Sequence, residues 1–469
     1  TNGSSQTSCN SEATGTTAET STGSTAPVKA SAGRCGKAGI RFRVMGVGSE
    51  ERYVELSMGM EVPEEFVKNF VPIPKEYVEE AYRSDEYLVF IGPQHPGSGH
   101  MRIILRLKGD YIVDAIPDPG YVHRGVEKLA ETRLYIHILP LIERPTIQDS
   151  ANFDLGYSRA VEKLADLDVP KRAQYIRVIL AELSRIATHL YDTGILSVFI
   201  GHSTGYMWAF GLRDVINEAF IRITGTRTTL SYTVPGGVRW DVKPEVLDFV
   251  YELTNYLERK MKDMESIFVK NPVTIHRLRE VGVLSKDEAI KYGLVGPFLR
   301  ASGVEYDVRK VEPYEVYSEF DWDIPVADEG DSYSRFLVRV EEIRQSIKII
   351  RQAVKNIPDT PILSEKILSR IPPKDRPQAA RDIRTFLTKT HTGLTPGAGE
   401  VTTLTEASRG LLLFTLVSDG HSNVPYRLRM VTPSWLLLRG FMESLKGYRL
   451  ADVPAIYGSF GYFPPEADR

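Results

Sequence analysis

Two imidazoles stand five residues apart in Gly92-Pro-Gln-His-Pro-Gly-Ser-Gly-His100, among two prolines and three glycines. Proline restricts the chain, glycine lets backbone approach a ligand, and histidine gives or takes a proton near neutral pH. His95 and His100 are therefore candidates for moving protons onto a bound substrate. A polar turn with hydrogen-bonded histidines fits the same residues. A second candidate set follows in Tyr121-Val-His-Arg-Gly-Val-Glu-Lys128. His123 and Arg124 precede Glu127 and Lys128 by one helical turn, a spacing that suits an ion-paired network. On a surface this is a salt-bridge cluster; inside a bundle, Arg124 would need a counter-charge or a charged cofactor. The third set is Glu182, Arg185 and His189, whose offsets of three and four put them on one helix face, opposite an apolar stripe. Such a face meets solvent, or in a buried helix a partner or redox centre.

Other chemistries find little support. The two cysteines are Cys9 and Cys35, and residues 36–469 have none. That body cannot supply the thiolates usual at nickel, zinc or iron–sulfur sites. Gly46-Val-Gly48 lacks the third glycine and following helix of a dinucleotide fingerprint, and there is no P-loop. A net charge of −3 gives no basic excess for nucleic acid. The longest apolar run, Gly410 to Val417, is too short to span a bilayer. The first residues show no charged segment and apolar stretch of a signal peptide, and cytosolic residence is the expectation.

The elements that must position these groups divide the chain in three. Residues 1–39 are mostly Thr, Ser, Gly and Ala, a low-complexity tail expected to be disordered, with Cys9 and Cys35 as free thiols or as a disulfide. Residues 40–84 form an N-terminal extension, with a strand at 40–45 and a helix start at 62–67. Residues 85–469 form the main domain. Strands are predicted at 87–91, 101–107 and 111–116, with a tight turn at Lys108-Gly-Asp110. Helices are predicted near 122–139, 152–166, 206–224, 243–269 and 332–356, and one capped by Asp168 with Pro170 in its first turn. The C-terminal third reads as strands at 411–417 and 426–431 and a helix at 434–447. The class is α+β: β elements over 85–119, a long-helix bundle over 120–360, and a mixed α/β segment over 361–469.

Several motifs in order are more specific than any one: Gly92-Pro-Gln-His-Pro96, His123-Arg-Gly-Val-Glu-Lys128, Glu182-Leu-Ser-Arg185, Pro235-Gly-Gly-Val238, Val417-Ser-Asp-Gly420 and Leu450-Ala-Asp-Val453. Together, over residues 85–469, they resemble the D subunit of respiratory complex I, its large quinone-site subunit. That family is related to the large subunit of nickel–iron hydrogenases, which implies a hydrogenase-large-subunit-like fold. Hydrogenases hold nickel with two cysteine pairs; the matching stretches here, Arg144-Pro-Thr-Ile-Gln-Asp149 and Phe463-Pro-Pro-Glu466, contain none. The resemblance implies a cavity where the metal once sat, facing a small B-like partner that holds a [4Fe–4S] cluster. Electrons would pass from that cluster to quinone, the substrate, with His100 or His95 as proton donor. Arg124 would sit beside the cluster, with His123, Arg144 and Asp149 lining the site.

Three departures accompany the resemblance. Ile147 stands where the family has a quinone-binding tyrosine, Thr229 where it has a histidine near the cluster, and the His95–His100 loop is one residue short. The expected function is a core subunit of the peripheral arm of a complex I-type NADH:quinone oxidoreductase, on the cytoplasmic face of the membrane. C-like and membrane-arm partners would join it, the latter moving ions, and NADH would be oxidised in another subunit. The alternatives are the large subunit of a membrane-bound sulfane-sulfur reductase and a docking scaffold without a substrate site.

Overall fold

The computed structural model describes residues 39–45, 51–57, 75–95 and 99–469. The expected tail, both cysteines and the helix start at 62–67 lie outside the described residues. The chain divides into two compact units between Tyr77 and Val78. In the first, β1 (Gly39–Met45) and β2 (Glu51–Ser57) pair antiparallel, with Gly39 opposite Ser57.

The second unit opens with three antiparallel strands, β3 (Tyr87–Ile91), β4 (Arg102–Lys108) and β5 (Tyr111–Asp118), in the order β3-β4-β5. Gly109 makes the β4–β5 turn at φ +59°, a backbone region that glycine enters without steric cost. Ile103, Leu105 and Leu107 alternate inward and share a core with Leu437 and Phe441 of a C-terminal helix.

The helix expected over 122–139 is broken. Residues Val126–Ala130 form α1, Tyr135–Ile138 a 3₁₀ turn, and Leu139–Glu143 α2. Leu134 is extended, and the break lets Tyr135, Ile136 and Ile138 enter the core beside Phe153 and Tyr157. α3 (Ser150–Ala165), α5 (Ser203–Thr224), α6 (Pro244–Met264, followed by a π turn to Val269) and α7 (Ser332–Asn356) lie close to their expected spans. α4 (Lys171–Phe199) starts later than expected, with Pro170 rather than Asp168 at the N-cap. Its 29 residues, about 44 Å long at 1.5 Å each, are buried on nearly every side.

Between α5 and α6 a short hairpin, β6 (Thr233–Val234) and β7 (Gly237–Val238), carries the Pro235-Gly-Gly-Val238 motif. A Cβ on Gly237 would fall 2.0 Å from the Ile362 carbonyl oxygen, which is why glycine stands there. Arg177 of α4 reaches this hairpin wholly buried, donating to the Val234 and Gly237 carbonyls at 2.9 Å each and pairing with Glu162 and Glu315.

The C-terminal sheet runs β10-β9-β8, from β8 (Gly399–Ala407), β9 (Gly410–Ser418) and β10 (Arg427–Val431). β8, not anticipated, pairs along all of β9. Leu412, Phe414 and Leu416 alternate inward, and Phe414 meets Phe153 and Tyr157 edge-on. The chain then forms α8 (Pro433–Leu445), α9 (Val453–Phe460) and α10 (Pro464–Asp468).

Removing Arg177 would leave Glu162 and Glu315 as buried carboxylates without a counter-charge. Arg177→Ala is expected to lower stability by about 3–5 kcal/mol, read as a shifted denaturant midpoint with unchanged slope.

Candidate functional site

α10 is the meeting point of the residues singled out by sequence. It is five residues long, yet Glu466 and Asp468 are almost wholly buried. The turn after β5 closes on it: Gly120 and Val122 donate backbone N–H groups to the two Asp468 carboxylate oxygens at 2.8 and 3.0 Å. The His123 ring bonds the Asp468 carbonyl, and the Arg124 N–H donates to the Arg469 carbonyl at 3.1 Å. Gly99, next to His100, also reaches it. A Cβ on Gly99 would lie 2.1 Å from the Tyr457 hydroxyl oxygen and 3.2 Å from Pro464 Cδ, so only glycine fits between the loop and α9–α10. The exposed His100 follows at φ +80°. His95 is exposed, with its N–H on the Gly92 carbonyl at 3.0 Å.

The stretch Arg144–Asp149 is a 3₁₀ segment kinked at Thr146. The kink sends Arg144 and Ile147 outward and Thr146 and Asp149 inward. Thr146 Oγ1 donates to Glu466 Oε2 at 3.4 Å. The Arg144–Asp149 stretch thus touches α10, and a guanidinium stands between acids there. Arg409 donates from Nη1 to Glu466 at 3.2 Å, from Nη2 to Asp192 of α4 at 2.7 Å, and from Nε to the Gly461 carbonyl at 2.7 Å. Asp149 accepts from Asn152 at 2.6 Å, Ser184 at 3.1 Å and the Ser408 N–H at 2.7 Å. Arg339 lies 3.9 Å from Asp192.

Burial opposes charge throughout this cluster, and pairing decides the outcome. Desolvation works against the Arg409 charge, but Asp192 and Glu466 outweigh it and hold the group above the ordinary arginine range. Burial pushes the Glu466 carboxyl up, and Arg409 only partly pulls it back. Burial takes Arg339 down to about 10, with Asp192 resisting and Arg409 assisting. The donor set is carboxylate and guanidinium with no thiolate, and Arg409 fills the position between the acids. These residues do not fit a thiolate-held nickel ion. Among the described residues, no group of three or more His, Cys, Asp or Glu side chains is arranged to hold a metal.

Outside the cluster, Arg124 and Arg144 are exposed neighbours of like charge. Partial burial and then the Arg144 charge lower the Arg124 guanidinium below its usual range. Arg144 donates to the Pro140 carbonyl at 2.6 Å. Among the described residues, no carboxylate pairs with Arg124. Ile147 is exposed, and Thr229 is half-buried at φ +52°.

The trio on α4 has a different setting. Glu182, Arg185 and His189 are wholly buried rather than solvent-facing. Glu182 accepts from Tyr317 and Ser346 at 2.6 Å each, Arg185 donates to the Ala407 and Glu406 carbonyls at 3.0 and 2.7 Å, and His189 bonds Glu342 at 2.7 Å. Sequence reasoning missed Asp192, Arg409, Glu466 and Asp468. Asp192 continues the charged face of the trio by one more step of three, a legible signal. Arg409 sits in a hairpin loop and Glu466 in a five-residue tail, where no periodicity marks them.

The family described as respiratory-chain NADH dehydrogenase, 49 kDa subunit, matches residues 200–469. The chain is 38% identical to the D subunit of the NADH-quinone oxidoreductase of Desulforamulus reducens over 387 residues, 82% of this chain and 99% of that one. It is 39% identical to the D subunit numbered 2 of the same kind of enzyme in Rhizobium meliloti over 394 residues, 83% of this chain and 97% of that one. A solved chain of the membrane-bound sulfane sulfur reductase, an archaeal respiratory membrane complex, is similar at TM-score 0.75 and 36% identity. That match covers 82% of this chain and 98% of the other.

Arg409→Ala would strand Asp192 and Glu466 inside the protein. It is expected to cost about 3–5 kcal/mol and to free α10, seen as faster proteolytic trimming of the C-terminus.

Proposed function

The chain belongs to the family of the 49 kDa subunit of respiratory-chain NADH dehydrogenase and is a subunit of an oxidoreductase that works within a complex; from that premise we propose that it forms the quinone-reduction site of a complex I-type enzyme. The observation that carries this reading is the convergence on α10 of the His100 loop, the His123–Arg124 turn and the Arg144–Asp149 stretch.

Electrons arrive from a [4Fe–4S] cluster held by a small B-like partner. Arg124, which no carboxylate among the described residues pairs, and Arg144, 3.8 Å from Glu143, present two positive charges at one exposed spot. That arrangement costs free energy in the isolated chain and is relieved when a negatively charged cluster docks against it. Added positive charge favours the reduced cluster and raises its potential. His123, bonded to the Asp468 carbonyl, fixes the turn that carries Arg124. Quinone reduction consumes two protons, and His100, exposed beside the Gly99 that packs on α9–α10, is the proposed donor, with His95 as the other. Asp149, bound by three donors, forms the rigid floor.

NADH is oxidised elsewhere in the complex, and C-like and membrane-arm partners couple the reaction to ion movement. No helix among the described residues is long and apolar enough to cross a membrane. In this reading the chain attaches peripherally, on the cytoplasmic face. A second reading, reduction of a sulfane-sulfur acceptor, is favoured by Ile147 in the position of the family tyrosine and by the likeness to the archaeal reductase.

In the assembled complex, Arg124→Ala is expected to lower the midpoint potential of the partner's cluster by about 60 mV, a tenfold change for one electron. Redox titration measures this, and an unchanged potential removes Arg124 from the role. His100→Ala is expected to cut quinone turnover about a hundredfold with assembly intact. Full turnover in both variants would leave the chain as a docking scaffold, and polysulfide reduction without quinone reduction would favour the second reading.

A further inference from the structure

Behind the candidate site, the α4 trio belongs to a larger buried network. Arg300 pairs with Glu342 at 2.6 Å, Glu406 at 2.9 Å and Asp307 at 3.4 Å. Arg309 pairs with Asp307 at 2.6 Å and Glu182 at 3.0 Å, and Arg185 lies 3.4 Å from Glu182. All of these groups, with His189, are at most 2% exposed. The network holds four carboxylates against three guanidiniums. One negative charge is left over in the core, where an uncompensated charge is expensive and a proton is the available remedy.

The leftover proton has two homes. Glu406 faces Arg300, Asp307 and Arg309 on one side, Arg185 on α4, and Tyr314, whose hydroxyl meets the Glu406 N–H at 3.2 Å. Burial and the Asp307 charge push Glu406 up to about 7 against the pull of the arginines. The half-buried Tyr306 feels Glu406 and Asp307 and marks the network's approach to water. His189 faces Glu342 and Arg339 of α7 and Arg185 of its own helix. Burial lowers its affinity while Glu342 supports it.

The His189 end abuts the candidate site. His189 Nδ1, Thr193 Oγ1, Asp192 Oδ2 and Arg339 Nη2 are all buried and make no hydrogen bond within the chain. His189, Asp192 and Thr193 lie within one turn of α4, and Arg339 Nε is 3.9 Å from Asp192, beyond direct hydrogen bonding but within reach through a water. Asp192 Oδ2 and Arg339 Nη2 lie 2.8 and 3.1 Å from where a Cβ on Gly461 would stand, and buried polar atoms without a partner are what an internal water satisfies.

We propose that this network is a redox-linked proton store for the acceptor site, taking up one proton as an electron arrives beyond Asp192 and surrendering it as the reduced product leaves. The inference rests on the acceptor reading above. One electron and one proton enter together, so the low-dielectric core gains no net charge. The two protons that turn quinone into quinol come from the His100 side of the site, and the stored proton returns to solvent once the neutral quinol departs and the charge it balanced is gone. His189 senses the site through Asp192, one step of three along α4, and Glu406 sets the pH range. Both act through other groups and are positioning residues rather than catalytic ones.

Redox-difference infrared spectroscopy of the assembled complex tests the store. The carbonyl stretch of a protonated carboxyl is expected to respond to reduction in wild type and to be absent in Glu406→Gln. In His189→Gln, which keeps a hydrogen-bonding group toward Glu342 but cannot carry the charge, the band should remain while its response to reduction is lost. Proton uptake on reduction should be largest above about pH 7, where Glu406 starts ionised and the store is empty, should fade below it, and should be lost in Glu406→Gln. A band that persists in Glu406→Gln overturns the proposal. Should that variant not assemble, proton uptake on reduction of wild type, followed with a pH indicator, decides instead. Uptake that is constant between about pH 6 and about pH 8 overturns the store, and uptake that changes across that range supports it. A complex that reduces no quinone but keeps the band and its response refutes the acceptor assignment alone. Quinone reduction without any carboxyl band refutes the store alone.

Discussion

The guanidinium of Arg409 is the constraint on which the candidate site depends. It joins Asp192 of the central helix to Glu466 of the last one and takes the Gly461 carbonyl with its third donor edge. Arginine stays charged under all ordinary conditions, so its burial is tolerable only while both acids remain in place. α10 is too short to be stable alone; this clamp, with the Ser434 N–H on Glu466 at 2.9 Å, holds it. Asp468 can then receive the Gly120 and Val122 N–H groups, and the turn carrying His123 and Arg124 acquires its position. An interior ion pair thereby decides where an exposed arginine points.

The parts of the fold governed by periodicity were legible in the sequence. The apolar spacing along Ile176 to Leu190 identifies the central helix, and alternation in Met101 to Leu107 identifies an inner strand. What was illegible depends on residues far away in sequence. Glu182, Arg185 and His189 read as one face, but whether that face meets water is decided by Tyr317, Ser346, Glu342 and the Glu406–Ala407 backbone packed upon it. The segment at 122–139 has helical composition, yet burying Tyr135 against α3 breaks it. β8 is rich in Thr and Glu, and only its pairing with the apolar β9 makes it a strand.

The candidate site shows the same division. His100, Arg124, Arg144 and Asp149 were found because motifs mark them, and the structure brings their segments together at α10. Arg409 and Glu466 escaped because a buried ion pair leaves no local trace: each partner, taken alone, has the composition of a surface residue, and Asp192 is marked only by its place on the face of Glu182, Arg185 and His189. Only the absence of cysteine from the two matching stretches hinted that another arrangement must occupy their meeting place.

That arrangement joins two charge clusters through one hairpin loop. Ala407 pairs with Gly410, leaving Ser408 and Arg409 as a two-residue connection between β8 and β9. Within four consecutive residues, Glu406 enters the inner network, Ser408 binds Asp149, and Arg409 clamps Asp192 and Glu466. Arg185 holds the loop from below by the Glu406 and Ala407 carbonyls. On the other side, α4 supplies Arg185, His189 and Asp192 in register. The two clusters thus share two rigid supports, a hairpin and a helix, and a displacement or charge change at one is transmitted to the other without an intervening flexible segment. A metal held by thiolates would concentrate its charge at a point. The cluster around Arg409 is instead a lattice of paired charges that continues into the core through α4 and the β8–β9 hairpin, and so a change of charge at one end is answered deep in the bundle.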